Sequence, residues 1–144
     1  MITMRRVRVV LVHGILSSKY SKSIQRLKAT LDPYFEVHLL QYISGPFPAM
    51  VAQVKFQLML MPKFSFYVGH SMGGIIGYHL KQKGLITVNS PFIGSDRGYH
   101  LQNNDFYQRV LPKTYDYWDD SKSHGVTQTQ SQEVLRYIRS KTKT

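Results

Sequence analysis

The fold is decided by the stretch Val68-Gly69-His70-Ser71-Met72-Gly73-Gly74, in which a single serine stands between glycines. The apolar and aromatic run before it, over residues 64–68, is typical of a buried strand. The residues after it, 75–80, continue at helical spacing. A strand that passes into a helix over G-x-S-x-G predicts a nucleophile elbow, a tight turn that presents the serine hydroxyl. We expect Gly69 and Gly73 to be required, because a Cβ at either position would collide with neighbouring elements.

The rest of the chain alternates apolar strand-like runs with amphipathic stretches of helical period. The predicted strands cover residues 7–12, 35–42, 64–68, 85–89 and 113–118, and the predicted helices cover residues 21–31, 46–61, the segment behind the elbow as far as residue 83, and the segment from residue 127. At most a short helix is expected over residues 105–111. This alternation predicts an α/β fold, a three-layer α/β/α sandwich with a mostly parallel sheet of about five or six strands.

Size and composition restrict the classes of protein that this chain can represent. Its 144 residues suffice for a single domain over 1–144 with no cap or lid domain, and we expect residues 140–144 to form a frayed basic tail. The chain has no cysteine, so disulfides and thiolate metal sites are excluded. No apolar run approaches the roughly 18 residues that span a bilayer. Because we find no signal peptide either, we expect a cytoplasmic protein.

The formal net charge of +11 is the unusual global property. Basic residues concentrate at the two ends of the chain, and their field would attract an anionic substrate, an acidic surface or nucleic acid. A charged surface that only keeps the protein soluble is the alternative. No nucleic-acid-binding motif accompanies the charge, so the charge alone does not identify a partner. The oligomeric state cannot be inferred from the sequence.

The segment Val12-His13-Gly14-Ile15 supplies a second element of a candidate site. A serine hydroxyl becomes an effective nucleophile only when a base removes its proton and donors stabilise the resulting oxyanion. Gly14 lets the chain turn after the first strand, so that a backbone N–H can face the elbow. We predict that the N–H groups of Ile15 and Met72 form an oxyanion hole.

His124 is the predicted base because it lies between the last strand and the last helix, where a side chain at the end of the sheet could reach Ser71. His100, in a loop without clear periodicity, is an alternative. The other four histidines are expected to shape the pocket or to be structural or exposed: His13, His38, His70 and His79. A carboxylate should orient the base. Asp96, which follows the fourth strand, is the first choice, and Asp120 is the alternative acid.

Together these segments resemble the α/β-hydrolase fold, and more narrowly small lipases and esterases. The resemblance rests on Val-His-Gly-Ile after the first strand, Gly-His-Ser-Met-Gly-Gly at the elbow, and a histidine before the closing helix. The segment 88–96 is also similar to the strand and loop that follow the elbow helix in bacterial lipases, with Phe92 in place of the usual histidine. The chain departs from the family in lacking its first two strands and any cap, which implies a minimal member with an open site.

The resemblance implies a serine hydrolase that cleaves carboxylic esters through a Ser-His-Asp triad and an acyl-enzyme intermediate. Such chemistry needs no metal and no organic cofactor. One alternative is a catalytically silent α/β-hydrolase scaffold that binds an acidic partner through its basic surface. Another is the same chemistry on a thioester or an amide, since acyl specificity depends on pocket shape that no motif encodes.

Overall fold

The computed structural model describes residues 6–90 and 125–142, together with the backbone of residues 107–110. Five strands and four helices lie in these ranges. The strands are β1 (Arg8–Val12), β2 (Glu36–Leu40), β3 (Phe66–His70), β4 (Leu85–Val88) and β5 (Tyr107–Val110), and the helices are α1 (Lys22–Leu31), α2 (Phe47–Leu60), α3 (Met72–His79) and α4 (Gln128–Thr142). The predicted α/β class is confirmed.

The five strands form one sheet in the order β2-β1-β3-β4-β5, and every neighbouring pair is parallel. The chain builds the sheet outward from β1, first to β2 on one side and then to β3 on the other. The carboxyl ends of β1 and β3 are therefore adjacent, with Val12 paired to Gly69. In open α/β sheets, a crevice for ligands forms where the strand order reverses in this way.

Two hydrophobic clusters pack against the sheet. Val9 and Leu11 belong to the first cluster, and Val10 and Val12 belong to the second. Because side chains alternate along a strand, the clusters lie on opposite faces of the sheet. The first cluster includes apolar residues of α1 and α4, namely Ile24, Leu27, Leu31, Val134, Leu135 and Ile138. The second includes residues of α2 and α3, namely Met50, Val54 and Ile76.

The predicted amphipathic helix α1 and the predicted helix α2 are confirmed. The Ser21 side chain caps α1 by accepting a hydrogen bond from the N–H of Ile24 at 3.2 Å. Such a cap satisfies one of the N–H groups that a helix leaves without a partner at its start. α2 begins directly after Pro46, as the proline pattern indicates, since proline fixes φ at a helical value and has no N–H to lose.

The predicted short helix over residues 105–111 is wrong. Residues Tyr107–Val110 form β5, which pairs in parallel with β4 in the register Leu85 to Tyr107. The four residues Tyr-Gln-Arg-Val show no clear period of a helix or a strand. They form a strand because their backbone pairs with the backbone of β4. The strand predicted over residues 113–118 lies outside the described residues.

The helix behind the elbow, α3, ends at His79, earlier than the predicted end at residue 83. The N–H of Gln82 donates to the carbonyl of Gly77 at 3.1 Å, and the N–H of Lys81 donates to that of Tyr78 at 2.9 Å. With Lys81 at a φ of 53°, this is a Schellman motif, which terminates a helix. A lysine here occupies the position that glycine most often takes, which is why the sequence did not reveal the stop.

The closing helix α4 runs to Thr142. Residues 140–142 of the expected frayed tail are therefore helical, and residues 143–144 lie outside the described part of the chain. Among the helices that the structure describes, none combines the length and the apolar character needed to cross a membrane.

Candidate active site

Ser71 has a backbone φ of 56° and a ψ of −121°, in a region that non-glycine residues rarely adopt. It lies between His70, the last residue of β3, and Met72, the first residue of α3. Holding a residue in such a conformation costs about 1–3 kcal/mol, and strain of this kind concentrates at functional sites. The strained strand-to-helix turn is confirmed, whereas the chemistry of Ser71 stays a prediction.

Two glycines allow α3 to pack closely, Gly69 against β3 and Gly73 against the end of β1. A Cβ at Gly69 would overlap the backbone of Gly73 and Gly74, and a Cβ at Gly73 would overlap the carbonyl oxygens of Val12 and His13. These contacts confirm that both positions require glycine. They also show that α3 begins directly against the end of β1, which brings the elbow to the reversal point of the sheet.

The end of β4 holds the backbone of Ser71 on both sides. The N–H of Ser71 donates to the carbonyl of Val88 at 2.9 Å. Its carbonyl accepts the Ser90 hydroxyl at 2.7 Å and the N–H of Gly74 at 3.0 Å. Strained conformations persist only where the surroundings over-determine them, and these three hydrogen bonds supply that restraint.

Gly14 lies directly against Ser71. A Cβ built on Gly14 would be 3.2 Å from the Cβ of Ser71 and 3.6 Å from its Oγ. Only 5% of the surface of Ser71 is exposed. The loop that follows β1 borders this exposed part, because it contains Gly14. The structure thus brings together the two motifs that the sequence analysis singled out separately.

His13 is buried and is held through both ring nitrogens. Its Nδ1–H donates to the carbonyl of Gly14 at 2.7 Å, and its Nε2 accepts the N–H of Tyr42 at 3.3 Å. The Tyr42 ring stacks on the imidazole at a centroid distance of 4.2 Å, and the Tyr42 hydroxyl donates to the carbonyl of His13 at 3.0 Å. Burial lowers the pKa of His13 below its ordinary value. His13 is therefore a neutral structural residue of the loop.

The two predicted oxyanion donors are the N–H groups of Ile15, in the loop after β1, and of Met72, at the start of α3, and their role stays a prediction. The carbonyl of Gly14 is bound by the His13 ring, so the N–H of Ile15, on the other side of the same planar peptide, points away from that ring. Met72 is the first residue of α3, where the N–H groups have no carbonyl within their own helix. The helix dipole adds partial positive charge at this end.

The start of α4 is tied to the end of β4 beside the elbow. Asn89 and Gln130, both buried, exchange side-chain hydrogen bonds at 3.1 and 2.7 Å. Gln130 also forms a capping box with Thr127, each side chain accepting the other's N–H. The Asn89 amide donates in addition to the carbonyl of Gly125 at 3.2 Å. Gly125, which directly follows the predicted base in the sequence, is thereby fixed near Ser90.

The remaining predicted site residues lie outside the described residues: His124, Asp96, Asp120 and the alternative base His100. Three of the described histidines have local structural contacts. His13 binds Tyr42 as above, His38 pairs with Glu36 at 2.8 Å, and His79 meets the edge of the Phe47 ring at 5.3 Å. Within residues 6–90 and 125–142, no group of three or more His, Asp or Glu side chains is arranged to hold a metal ion.

Four residues that shape this site were not predicted from the sequence, namely Tyr42, Asn89, Ser90 and Gln130. One of them had a readable signal, because Thr127-x-x-Gln130 is the pattern of a capping box. Tyr42 had none, since its partner His13 is 29 residues away in the sequence.

The chain matches no model of a known protein family, and no curated protein is significantly similar to it.

Proposed function

We propose that this chain is a serine hydrolase that cleaves carboxylic esters, with a minimal α/β-hydrolase fold arranged in three layers. The observation that carries the proposal is the positive φ of Ser71, at the strand-to-helix turn and directly beside Gly14. A strained serine backed by a helix N-terminus and faced by a glycine loop matches the requirements of an activated nucleophile. The clusters on both faces of the sheet support the layered arrangement.

The strand order alone does not select this function. Flavodoxin-like proteins have the same order, 2-1-3-4-5, and bind their ligand where the order reverses between the first and third strands. The turn after β3 favours the hydrolase, since binding a ligand through backbone N–H groups does not require a non-glycine residue at positive φ. At this turn the strained residue is Ser71, whose side chain is the only one in the motif that can form an acyl ester.

In the proposed reaction, the Ser71 Oγ attacks the carbonyl carbon of the ester while His124 accepts the hydroxyl proton. The oxyanion accepts hydrogen bonds from the N–H groups of Ile15 and Met72, and each such donor contributes about 100- to 1,000-fold to the rate. His124 then protonates the departing alcohol, and Ser71 remains esterified to the acyl group as the acyl-enzyme. Water attacks that ester with His124 as base, and the carboxylic acid is released as Ser71 regains its proton.

The position of Gly125 supports His124 as the base. Gly125 is linked to Asn89, Asn89 precedes Ser90, and the Ser90 hydroxyl binds the carbonyl of Ser71. Gly125 thus lies at the end of the sheet that carries the elbow, and His124 is its neighbour in the sequence. Asp96 is the proposed acid because it comes after β4, and Asp120 is the alternative.

The decisive experiment compares Ser71→Ala with wild type in hydrolysis of p-nitrophenyl acetate and in labelling by a fluorophosphonate probe. We expect Ser71→Ala to lose at least about 1,000-fold in kcat/KM and to remain unlabelled. Ser140→Ala is the matched control, because Ser140 is exposed on α4 and should not affect either readout. Equal ester hydrolysis by wild type and Ser71→Ala would overturn the proposal.

The alternative is a catalytically silent scaffold that binds an acidic partner through its basic surface. It predicts that wild type neither hydrolyses the ester nor reacts with the probe. Folded wild-type protein would then leave the probe unreacted while binding an acidic partner with an affinity that falls steeply with salt. If the enzyme is active, a thioester and an amide of the same acyl group tested beside the ester would establish which bond it cleaves fastest. We propose the ester rather than the amide because an alcohol is a better leaving group than an amine, and this comparison distinguishes the ester from the thioester.

A further inference from the structure

Two large apolar side chains stand out from the surface next to the elbow. Leu16 is 88% exposed and Ile43 is 77% exposed. They follow β1 and β2, which are neighbours in the sheet, so both lie at the edge of the sheet that carries the candidate site. The N–H of Leu16 donates to the Ser44 hydroxyl at 2.6 Å, and this bond joins the two loops. We refer to Leu16 and Ile43 together as the apolar rim.

The backbone at Leu16 adopts an unfavourable conformation. Its φ is 56°, a value that a bulky non-glycine residue rarely takes. Glycine or asparagine would fit this backbone better and would also be more soluble at so exposed a position. The strained backbone lowers stability and the exposed side chain gains none from burial, so neither packing nor stability accounts for leucine here.

The backbone at Ile43 is held in place although its side chain is not. Its N–H donates to the side-chain oxygen of Gln53 at 2.9 Å, and its carbonyl accepts the Gln53 amide at 3.2 Å. α2 thus fixes the main chain of Ile43 while its side chain projects into solvent. A side chain displayed on an ordered backbone loses little additional entropy when a ligand packs against it.

The apolar rim lies within reach of the reacting carbonyl. Leu16 is two residues from Gly14, a separation of at most about 8 Å between Cα atoms. A Cβ on Gly14 would contact Ser71 at 3.2 Å. A substrate whose carbonyl sits over the Ser71 Oγ would therefore extend its acyl chain past Gly14 toward Leu16 and Ile43.

We infer that Leu16 and Ile43 determine acyl-chain specificity, and that the preferred substrates are esters whose apolar acyl chains are longer than acetyl. This inference rests on the proposed function. Contact between the acyl chain of the substrate and the apolar rim removes apolar surface of both from water. This increases kcat/KM by up to about fourfold for each methylene group of the acyl chain that is fully buried. Esters with a charged or strongly polar acyl group gain nothing from the rim.

The test measures kcat/KM for p-nitrophenyl acetate, butyrate, hexanoate and octanoate, each below the concentration at which it aggregates. The variants are Leu16→Asn and Ile43→Thr, which keep the approximate shapes of the side chains. We expect the octanoate-to-acetate ratio to fall about tenfold in Leu16→Asn, the effect of losing contact with roughly two methylene groups. Because asparagine tolerates the left-handed conformation, the Tm should not decrease.

Leu60→Asn is the matched control, since Leu60 is 70% exposed at the end of α2 and should leave the ratio unchanged. An unchanged ratio in Leu16→Asn would overturn the inference while the proposed function stands, provided that Ser71 is labelled and acetate is hydrolysed. A change that appears only when octanoate is raised above its aggregation concentration in a second series would also overturn it, in favour of docking to a lipid surface. If wild type hydrolyses none of the esters and Ser71 does not react, both proposals fail.

Discussion

The rings of His13 and Tyr42 stack at a centroid distance of 4.2 Å, with their planes 6° from parallel. Two hydrogen bonds, from the N–H and from the hydroxyl of Tyr42, join the same pair. The stack connects the loop after β1 to the loop after β2. Because His13 also binds the carbonyl of Gly14, this pair positions the peptide whose N–H we propose to stabilise the oxyanion.

Removing the Tyr42 hydroxyl should weaken the loop without abolishing the stack. In Tyr42→Phe, the bond to the carbonyl of His13 is lost, and we expect the free energy of unfolding to decrease by about 1 kcal/mol. Urea denaturation measures this change. Tyr20→Phe is the control, because Tyr20 is an exposed tyrosine and its loss of a hydroxyl should be neutral. A Tyr42→Phe variant as stable as wild type would contradict the role given to the hydroxyl.

The buried imidazole of His13 should make stability depend on pH. Its pKa in the folded state is lowered by burial from the ordinary value of 6.5, so the unfolded chain binds a proton more readily. The stabilisation is therefore complete above pH 6.5 and decreases as the pH falls toward the folded-state pKa. Protonation would also place a proton on Nε2, which accepts the Tyr42 N–H.

The measurement is the Tm of wild type and of His13→Gln between pH 7.5 and 5. We expect the wild-type Tm to decrease over this range and the Tm of His13→Gln to decrease less. Hydrogen bonds from His38 and Arg8 lower the pKa of Glu36 from 4.5. The effect of Glu36 on the Tm therefore appears only below this pH range. Parallel curves for the two proteins would show that His13 does not contribute.

Adding one methyl group at Gly14 should obstruct the Ser71 hydroxyl. The Cβ of Gly14→Ala would lie 3.6 Å from the Oγ of Ser71, where an approaching carbonyl must pass. We expect the rate of fluorophosphonate labelling to fall at least about tenfold, because small displacements of reacting groups have large kinetic effects. Gly45→Ala is the control, since no atom lies within 4 Å of a Cβ at that position. Equal labelling of both variants would contradict the proposed geometry.

Breaking the link between β4 and α4 should reduce both stability and activity. Gln130→Ala removes the capping-box bond that its side chain accepts from the Thr127 N–H, together with the two bonds to Asn89. We expect a loss of about 1–3 kcal/mol in the free energy of unfolding. We also expect a lower kcat/KM for p-nitrophenyl acetate, because Asn89, which binds the carbonyl of Gly125, loses the Gln130 side chain that holds it.

Gln132→Ala provides the comparison, as Gln132 is exposed on the same helix. Unfolding in urea and ester hydrolysis should both be unaffected there. If Gln130→Ala loses stability but retains full kcat/KM, Gly125 does not position the base and the proposed role of His124 is weakened.

Much of the candidate site could be predicted because its pattern is local. Gly69 is required by contacts with Gly73 and Gly74 at the start of α3, which directly follows β3 in the chain. The contacts that support the site could not be predicted in the same way. Asn89 and Gln130 are 41 residues apart, and neither residue carries a signal that identifies the other as its partner.

The sequence by itself determined which segments are apolar on one face, that α1 begins next to Ser21, and that the chain turns sharply at Ser71. Periodicity, capping and steric requirements act within a few residues, so they are readable without a structure. Only the tertiary structure decided that Tyr107–Val110 is a strand, because its partner is β4. The tertiary structure likewise placed Gly14 against Ser71, since that contact depends on β1 and β3 being neighbours. Strand pairing joins segments that are distant in the sequence. The pattern of one segment indicates that it needs a partner, but it does not indicate which other segment that partner is.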